Sequence, residues 1–117
     1  MRHLKSGRKL NRNNSHRKSM LNNLASSIFH HKQVKTTFAK AKEVRKIVER
    51  IITWSKSDTV HHRRLIFTVI KNRSLIREIH SISNQYNNRH GGYLQIIKLG
   101  FRKGDNAKIV IVKLINK

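Results

Sequence analysis

Residues 33–56 read QVKTTFAKAKEVRKIVERIITWSK, and two periods meet in them. From Gln33 to Phe38, Val34, Thr36 and Phe38 alternate with Lys35 and Thr37, which is the two-residue repeat of a short strand. From Ala39 to Lys56 the repeat becomes helical: Ala41, Val44, Ile47, Val48, Ile51 and Ile52 gather on one face, while Lys40, Lys42, Lys46 and Arg50 lie towards another. A strand that passes straight into an amphipathic helix needs partners for both, and the flanking segments have to supply them.

On the amino-terminal side, Met20, Leu21, Leu24, Ala25, Ile28 and Phe29 recur at helical spacing, which predicts a helix from Ser15 to His31 with Ser15 as its cap. On the other side, Ser57-Asp58-Thr59 offers capping oxygens to a third helix from Val60 to Lys71. Ser74 is placed to cap a fourth, in which Leu75, Ile79, Ile82 and Tyr86 share one face. The helical period stops at Asn87-Asn88-Arg89-His90-Gly91-Gly92, where Asn and Gly suit a turn. Tyr93–Phe101 and Lys108–Ile115 are rich in Ile, Val and Leu around Gly104-Asp105-Asn106, which predicts a β-hairpin. With the first strand the hairpin makes a three-stranded sheet covered on one face by helices, an α+β two-layer domain in the order α-β-α-α-α-β-β. Residues 15–117 form that single domain and residues 1–14 a basic tail, whose few apolar groups cannot pack a core.

Charge dominates the composition. The chain has 117 residues, with 27 Lys and Arg against five acids, a net charge of +22. A surface of this kind repels itself unless a polyanion neutralises it. No acid precedes Glu43, and the first helix opens with His16, Arg17 and Lys18, where cations oppose the helix dipole. A sequence selected only for folding would place acids there; beside phosphate, these residues and the helix N–H groups act together.

Other chemistries find no vehicle. The chain has no cysteine, so disulfides, thiolate zinc sites and cysteine nucleophiles are excluded. The longest apolar stretch, Leu65–Ile70, is six residues and contains Thr68, far short of the ~20 that span a bilayer. Glu43 and Glu49 lie roughly 240° apart around one helix, so they do not converge as an acid–base pair. No two histidines are four residues apart, and the adjacent pairs His30-His31 and His61-His62 are expected to point away from each other. No Gly-Lys-Ser or Gly-Lys-Thr follows the glycines, so no phosphate loop is present. Neither an enzyme, a metal site nor a cofactor is expected. Most of the seven aromatics sit at apolar-face positions and are expected in the core, and Tyr93 beside Arg89 is kept as a base-stacking or ribose-contacting candidate, with core or hairpin packing weighed slightly ahead. Without a zinc finger, basic zipper or RRM-type motif, structured RNA is the better fit than sequence-specific DNA. A general nucleic-acid coat protein and a membrane-surface binder using the second helix are the two other classes, separated from it by duplex-DNA preference and by vesicle co-sedimentation.

Met1-Arg2-His3, Gly7-Arg8, Leu10-Asn11-Arg12, Ser15-His16-Arg17 and Met20 stand at the amino end, and Lys35-Thr36-Thr37, Lys40-Ala41-Lys42-Glu43, Arg63-Arg64, Gly91-Gly92-Tyr93 and Gly104-Asp105-Asn106-Ala107 follow in order. This succession, over essentially the whole chain, resembles the bacterial-type large-subunit ribosomal proteins of the L-seventeen family. The family commonly has proline where this chain has Ala39 and Lys108, and Gln95 and Lys113 replace an expected Arg and acid.

The resemblance implies a two-layer α+β fold with a small mixed sheet. It also implies a structural constituent of the large ribosomal subunit, bound to 23S-type rRNA near the peptide exit side. The basic opening, which otherwise imitates an organellar transit peptide, is then the family's own tail, and the expected location is the cytoplasmic ribosome, with an organellar ribosome as the lesser alternative. The partners implied are large-subunit rRNA and neighbouring ribosomal proteins, with no membrane, no small-molecule substrate and no homo-oligomer outside the ribosome. The RNA-binding residues expected are Arg2, His3, Lys5, Arg8, Lys9, Arg12, Ser15, His16, Arg17 and Lys18 in the tail and first turn. Lys35, Lys40, Lys42, Arg63, Arg64, Arg89, Tyr93 and Arg102 join them from the domain. The tail is expected to become ordered only against rRNA.

Overall fold

The periodicity of residues 33–56 is realised in a computed structural model, which describes residues 7–115. The expected contacts Arg2, His3 and Lys5 lie outside the described residues. The elements in chain order are α1 (Asn14–His31), β1 (Gln33–Thr37), α2 (Phe38–Lys56), α3 (Val60–Val69), α4 (Arg73–Asn84), β2 (Leu94–Phe101) and β3 (Lys108–Leu114). The α+β class and the element order agree with expectation.

Thr37 is where strand becomes helix. Its extended backbone ends β1 while its hydroxyl accepts from Lys40 N at 3.4 Å, so no loop separates the two elements. Upstream, α1 ends because Lys32 turns left-handed, with φ at 68°, and its N–H returns to Ile28 O at 2.8 Å. Two expected caps move. Asn13, not Ser15, caps α1 by accepting from His16 N at 2.8 Å, and Asn72, not Ser74, caps α4 by accepting from Ser74 N and Leu75 N. In both cases a short Asn amide two residues upstream reaches the free N–H groups before the serine does. Thr59 caps α3 as its segment suggested, although the helix stops at Val69 and leaves Ile70 extended and buried.

The sheet has the order β1-β3-β2, and both ladders are antiparallel, which corrects the expected mixed sheet. β1 and β2 do run in the same direction, but β3 lies between them, so no parallel ladder forms. Val34, Val112 and Ile96 share one row of that sheet, and Val110, Val112 and Leu114 of the central strand are buried beneath the helices. The register slips at Lys98/Gly100, where Gly100 takes φ 134°, a bulge geometry that a side chain would strain.

α2 is the hub of the helical layer. It touches every other element, and Ala41, Val44, Val48, Ile51 and Ile52 are all fully buried. The apolar face that a membrane-surface binder would use is therefore spent in the core. α4 buries Leu75, Ile79 and Ile82 against it, and Tyr86 follows at 3% exposure with its hydroxyl donating to Ile115 O. Two aromatics depart from the expected core placement. Phe67 is 42% and Phe101 62% exposed, because α3 and the end of β2 have no layer above them.

Ile79 has no exposed surface, so Ile79→Ala should cost about 2–5 kcal/mol in denaturant unfolding. The caps give a finer comparison. Asn13→Ala should cost about 1 kcal/mol, whereas Ser15→Ala should change stability by a few tenths at most, and the reverse ranking would reject the cap assignment.

Candidate nucleic-acid interface

The expected basic residues fall into separate groups on the surface. At the end of the sheet where β1 passes into α2, Lys35, Lys40 and Arg102 line one pocket together with Lys103, Thr36, Thr37 and the exposed Leu99 and Phe101. Strand register explains the meeting, since Thr37 pairs with Ile109 and so sets β1 beside the β2–β3 turn. On the other side of the same junction, the Nζ atoms of Lys42, Lys98 and Lys108 lie 5.4, 5.9 and 5.8 Å from the Phe38 ring centroid. The ring's negative face draws each ammonium in, yet three cations around one ring repel each other. Lys98, Lys103 and Lys108 were not among the expected contacts; strand pairing, which no local pattern in the hairpin reveals, is what places them.

Three expected cations have partners that define their roles. Arg63 grips the Asp58 carboxylate at 2.6 and 2.7 Å, and that hydrogen bond holds the Asp58 carboxyl below its ordinary pKa. Arg102 forks onto Asp105, with Nε to Oδ1 at 3.1 Å. That bond, followed by the Ala107 N–H, lowers the Asp105 carboxyl to about 2. The turn closes around this pair, with Arg102 N bonded to Ala107 O at 2.8 Å and Asn106 left-handed at φ 58°. Arg89 donates to Gly91 O at 3.3 Å and keeps its guanidinium exposed.

Tyr93 does not offer its ring to a base. It is 2% exposed and packs on Tyr86 with centroids 5.2 Å apart, while its hydroxyl donates to Arg89 O at 3.0 Å. Gly91 and Gly92 let the chain turn inward just before it, so the ring enters the core. Lys56, absent from the expected contacts, sits over that ring at 4.6 Å and bonds to Arg89 O.

At the amino end, Ser15, His16 and Lys18 are exposed on the first turns of α1, and Arg17 bonds to Asn14 Oδ1 at 2.5 Å. Arg8 and Lys9 are exposed. Leu10 packs on the core, and Arg12 donates to Leu10 O at 2.7 Å, so residues 9–12 make a turn against the domain. Arg64 is exposed on α3, in a groove shared with α4.

Among the described residues, no three His, Asp or Glu come together to hold a metal ion, and no helix is long and apolar enough to cross a membrane. The adjacent histidine pairs, expected to diverge, instead approach: the His30 and His31 rings meet edge to face at 4.7 Å, and the His61 and His62 rings lie 5.7 Å apart.

Fold and surface together define a class: a small, strongly basic α+β protein whose cations collect in patches that few carboxylates answer. Residues 20–115 match the ribosomal protein L17 family. The chain is 46% identical over 118 residues to the large ribosomal subunit protein bL17 of Allorhizobium ampelinum, an alignment covering 100% of this chain and 84% of that protein. The chain belongs to the ribosomal protein L17 family, as its ordered motifs suggested.

The hairpin turn has a defined acid limit. Because the folded Asp105 carboxyl lies below its ordinary 3.8, its stabilising contribution is complete above that value and is lost as pH falls through about 2. Carboxyl-carbon NMR titration should place its midpoint near the lower figure, and Arg102→Gln should raise it. A wild-type midpoint at the ordinary value would reject the ion pair.

Proposed function

We propose that this chain is a structural constituent of the large ribosomal subunit, binding large-subunit rRNA near the peptide exit side through phosphate contacts. Its work is architectural and supports translation without catalysing a reaction. The observation that carries this reading is the pocket at the β1–α2 junction. There Lys35, Lys40 and Lys103 meet without a carboxylate partner among the described residues, in a chain that aligns along its whole length with a large-subunit protein. Residues 1–14 act as a basic tail that meets rRNA, its turn at residues 9–12 held against the domain, and residues 15–117 act as the domain that presents the patches. Neighbouring large-subunit proteins are its other partners, and the cytoplasmic ribosome is its place.

Phosphate contacts release condensed counterions, so log affinity for large-subunit rRNA should fall linearly with log salt, by about 0.7–0.9 in slope per phosphate neutralised. Replacing Lys35, Lys40 and Lys103 together by Gln should flatten that slope by about 2–3 and reduce co-sedimentation with large subunits. The melting temperature should hold, since none of the three is buried. An unchanged slope would remove the pocket from the interface. A wild-type protein that does not travel with large subunits would reject the ribosomal reading.

A further inference from the structure

The groove between α3 and α4 has a chemistry that phosphate contacts alone do not use. α3 brings Val60, Arg64 and Phe67 to it at i, i+4 and i+7, and α4 brings Arg73, Arg77 and His80 at the same spacing. Its apolar part is open. Val60 is 62% and Phe67 42% exposed, and Trp54 and Ile76 lie partly buried against the core alongside them. Its charged part is one-sided. Asp58 is the single carboxylate on the lining, and it is already held by Arg63 and faced by His80 at 3.8 Å. Arg64, Arg73 and Arg77 form no salt bridge among the described residues.

We infer that this groove receives an unstacked base from a single-stranded segment of large-subunit rRNA, with Phe67 and Trp54 as the stacking surface and Arg64, Arg73 and Arg77 on the flanking phosphates. A nucleotide chain alternates a flat apolar ring with an anion, and the groove sets the exposed Phe67 ring and the partly buried Trp54 beside three guanidiniums unpaired among the described residues. An A-form duplex keeps its bases stacked inside and would satisfy the arginines while leaving Phe67 and Val60 against water. An acidic protein segment would likewise answer the charge, but nothing in it requires an aromatic face. The inference rests on the ribosomal reading for the identity of the RNA. It goes beyond that reading in naming a base site, and in joining Arg64, already an expected contact, with Phe67, Trp54, Arg73 and Arg77, which the sequence had placed in the core or left unassigned.

Trp54 is the only tryptophan in the chain, so its fluorescence reports on this groove directly. With full-length protein and a short oligouridylate as probe, binding should quench Trp54. Phe67→Ala should raise the oligouridylate Kd about 5- to 150-fold, the loss expected for one stacked base, and leave the Kd for duplex RNA in place. Phe67 is exposed, so an unchanged melting temperature is expected and keeps the variant interpretable. As a second variant, Arg64→Gln with Arg77→Gln should weaken oligouridylate binding and flatten its salt slope. Equal quenching by duplex RNA or inorganic polyphosphate would overturn the base site, as would an unchanged Kd in Phe67→Ala. Stronger quenching by polyglutamate than by oligouridylate would overturn it in favour of a protein partner. Co-sedimentation of the wild-type chain with large subunits, measured in parallel, separates the two readings: if it persists while the groove experiment fails, the base site alone is rejected.

Discussion

The burial of one face of α2 is the interaction on which the other elements depend. Val44, Val48, Ile51 and Ile52 have no exposed surface. At about 1.5–3 kcal/mol each, these four side chains contribute on the order of 6–12 kcal/mol, an upper figure because unfolded chains already bury some surface. That is comparable to the whole net stability of a typical domain, about 5–15 kcal/mol. Since Thr37 both ends β1 and caps α2, the position of the helix fixes the position of the strand. β1 in turn pairs with β3, and β3 with β2, so the sheet is aligned through a single residue that belongs to two elements.

A core organised in this way commits the apolar faces inward and leaves the cations nowhere but the surface. The described ion pairs answer few of them, and exposed pairs are worth about 0–1 kcal/mol each. The helix ends follow the same rule. None of the four helices has an acid in its first turn, and the caps are the neutral oxygens of Asn13, Thr37, Thr59 and Asn72. Neutral caps satisfy the N–H groups without cancelling the positive end of the dipole. The molecule thus keeps a positive potential that a protein tuned for stability alone would have neutralised.

The strand-to-helix transition, the four helices and the hairpin were legible because each is written in a local period. What escaped the sequence was set by pairing or by competition over distances that a period does not record. Ser15 and Ser74 were reasonable caps, and Asn13 and Asn72 displaced them because their amides reach the same N–H groups from a better position. Tyr93, next to Gly91-Gly92 and Arg89, left binding and core packing both open with packing ahead, and those glycines turn it into the core. Phe67 looked like a core residue for lying among Ile66, Val69 and Ile70, yet α3 buries only one side, and Phe67 is on the other. Lys98, Lys103 and Lys108 joined Lys35, Lys40 and Lys42 near one junction through strand register, a property of two segments at once.

The two buried tyrosines show how the core also serves the surface. Tyr86 holds Ile115 O, Tyr93 holds Arg89 O, and Lys56 reaches both the Tyr93 hydroxyl and Arg89 O, so the turn after α4 is tied to α2 and to the end of β3. Ile115 N closes the set on Tyr93 O at 3.0 Å. Arg89 therefore presents its guanidinium from a backbone that is already ordered. Fixing one residue's backbone costs about 1–2 kcal/mol, comparable to a single charged hydrogen bond, so a cation on an ordered turn retains most of the free energy of its contact. Aromatic burial and the display of charge are, at this turn, one arrangement: the ring that a solvent-facing reading would assign to RNA is what holds the arginine in place.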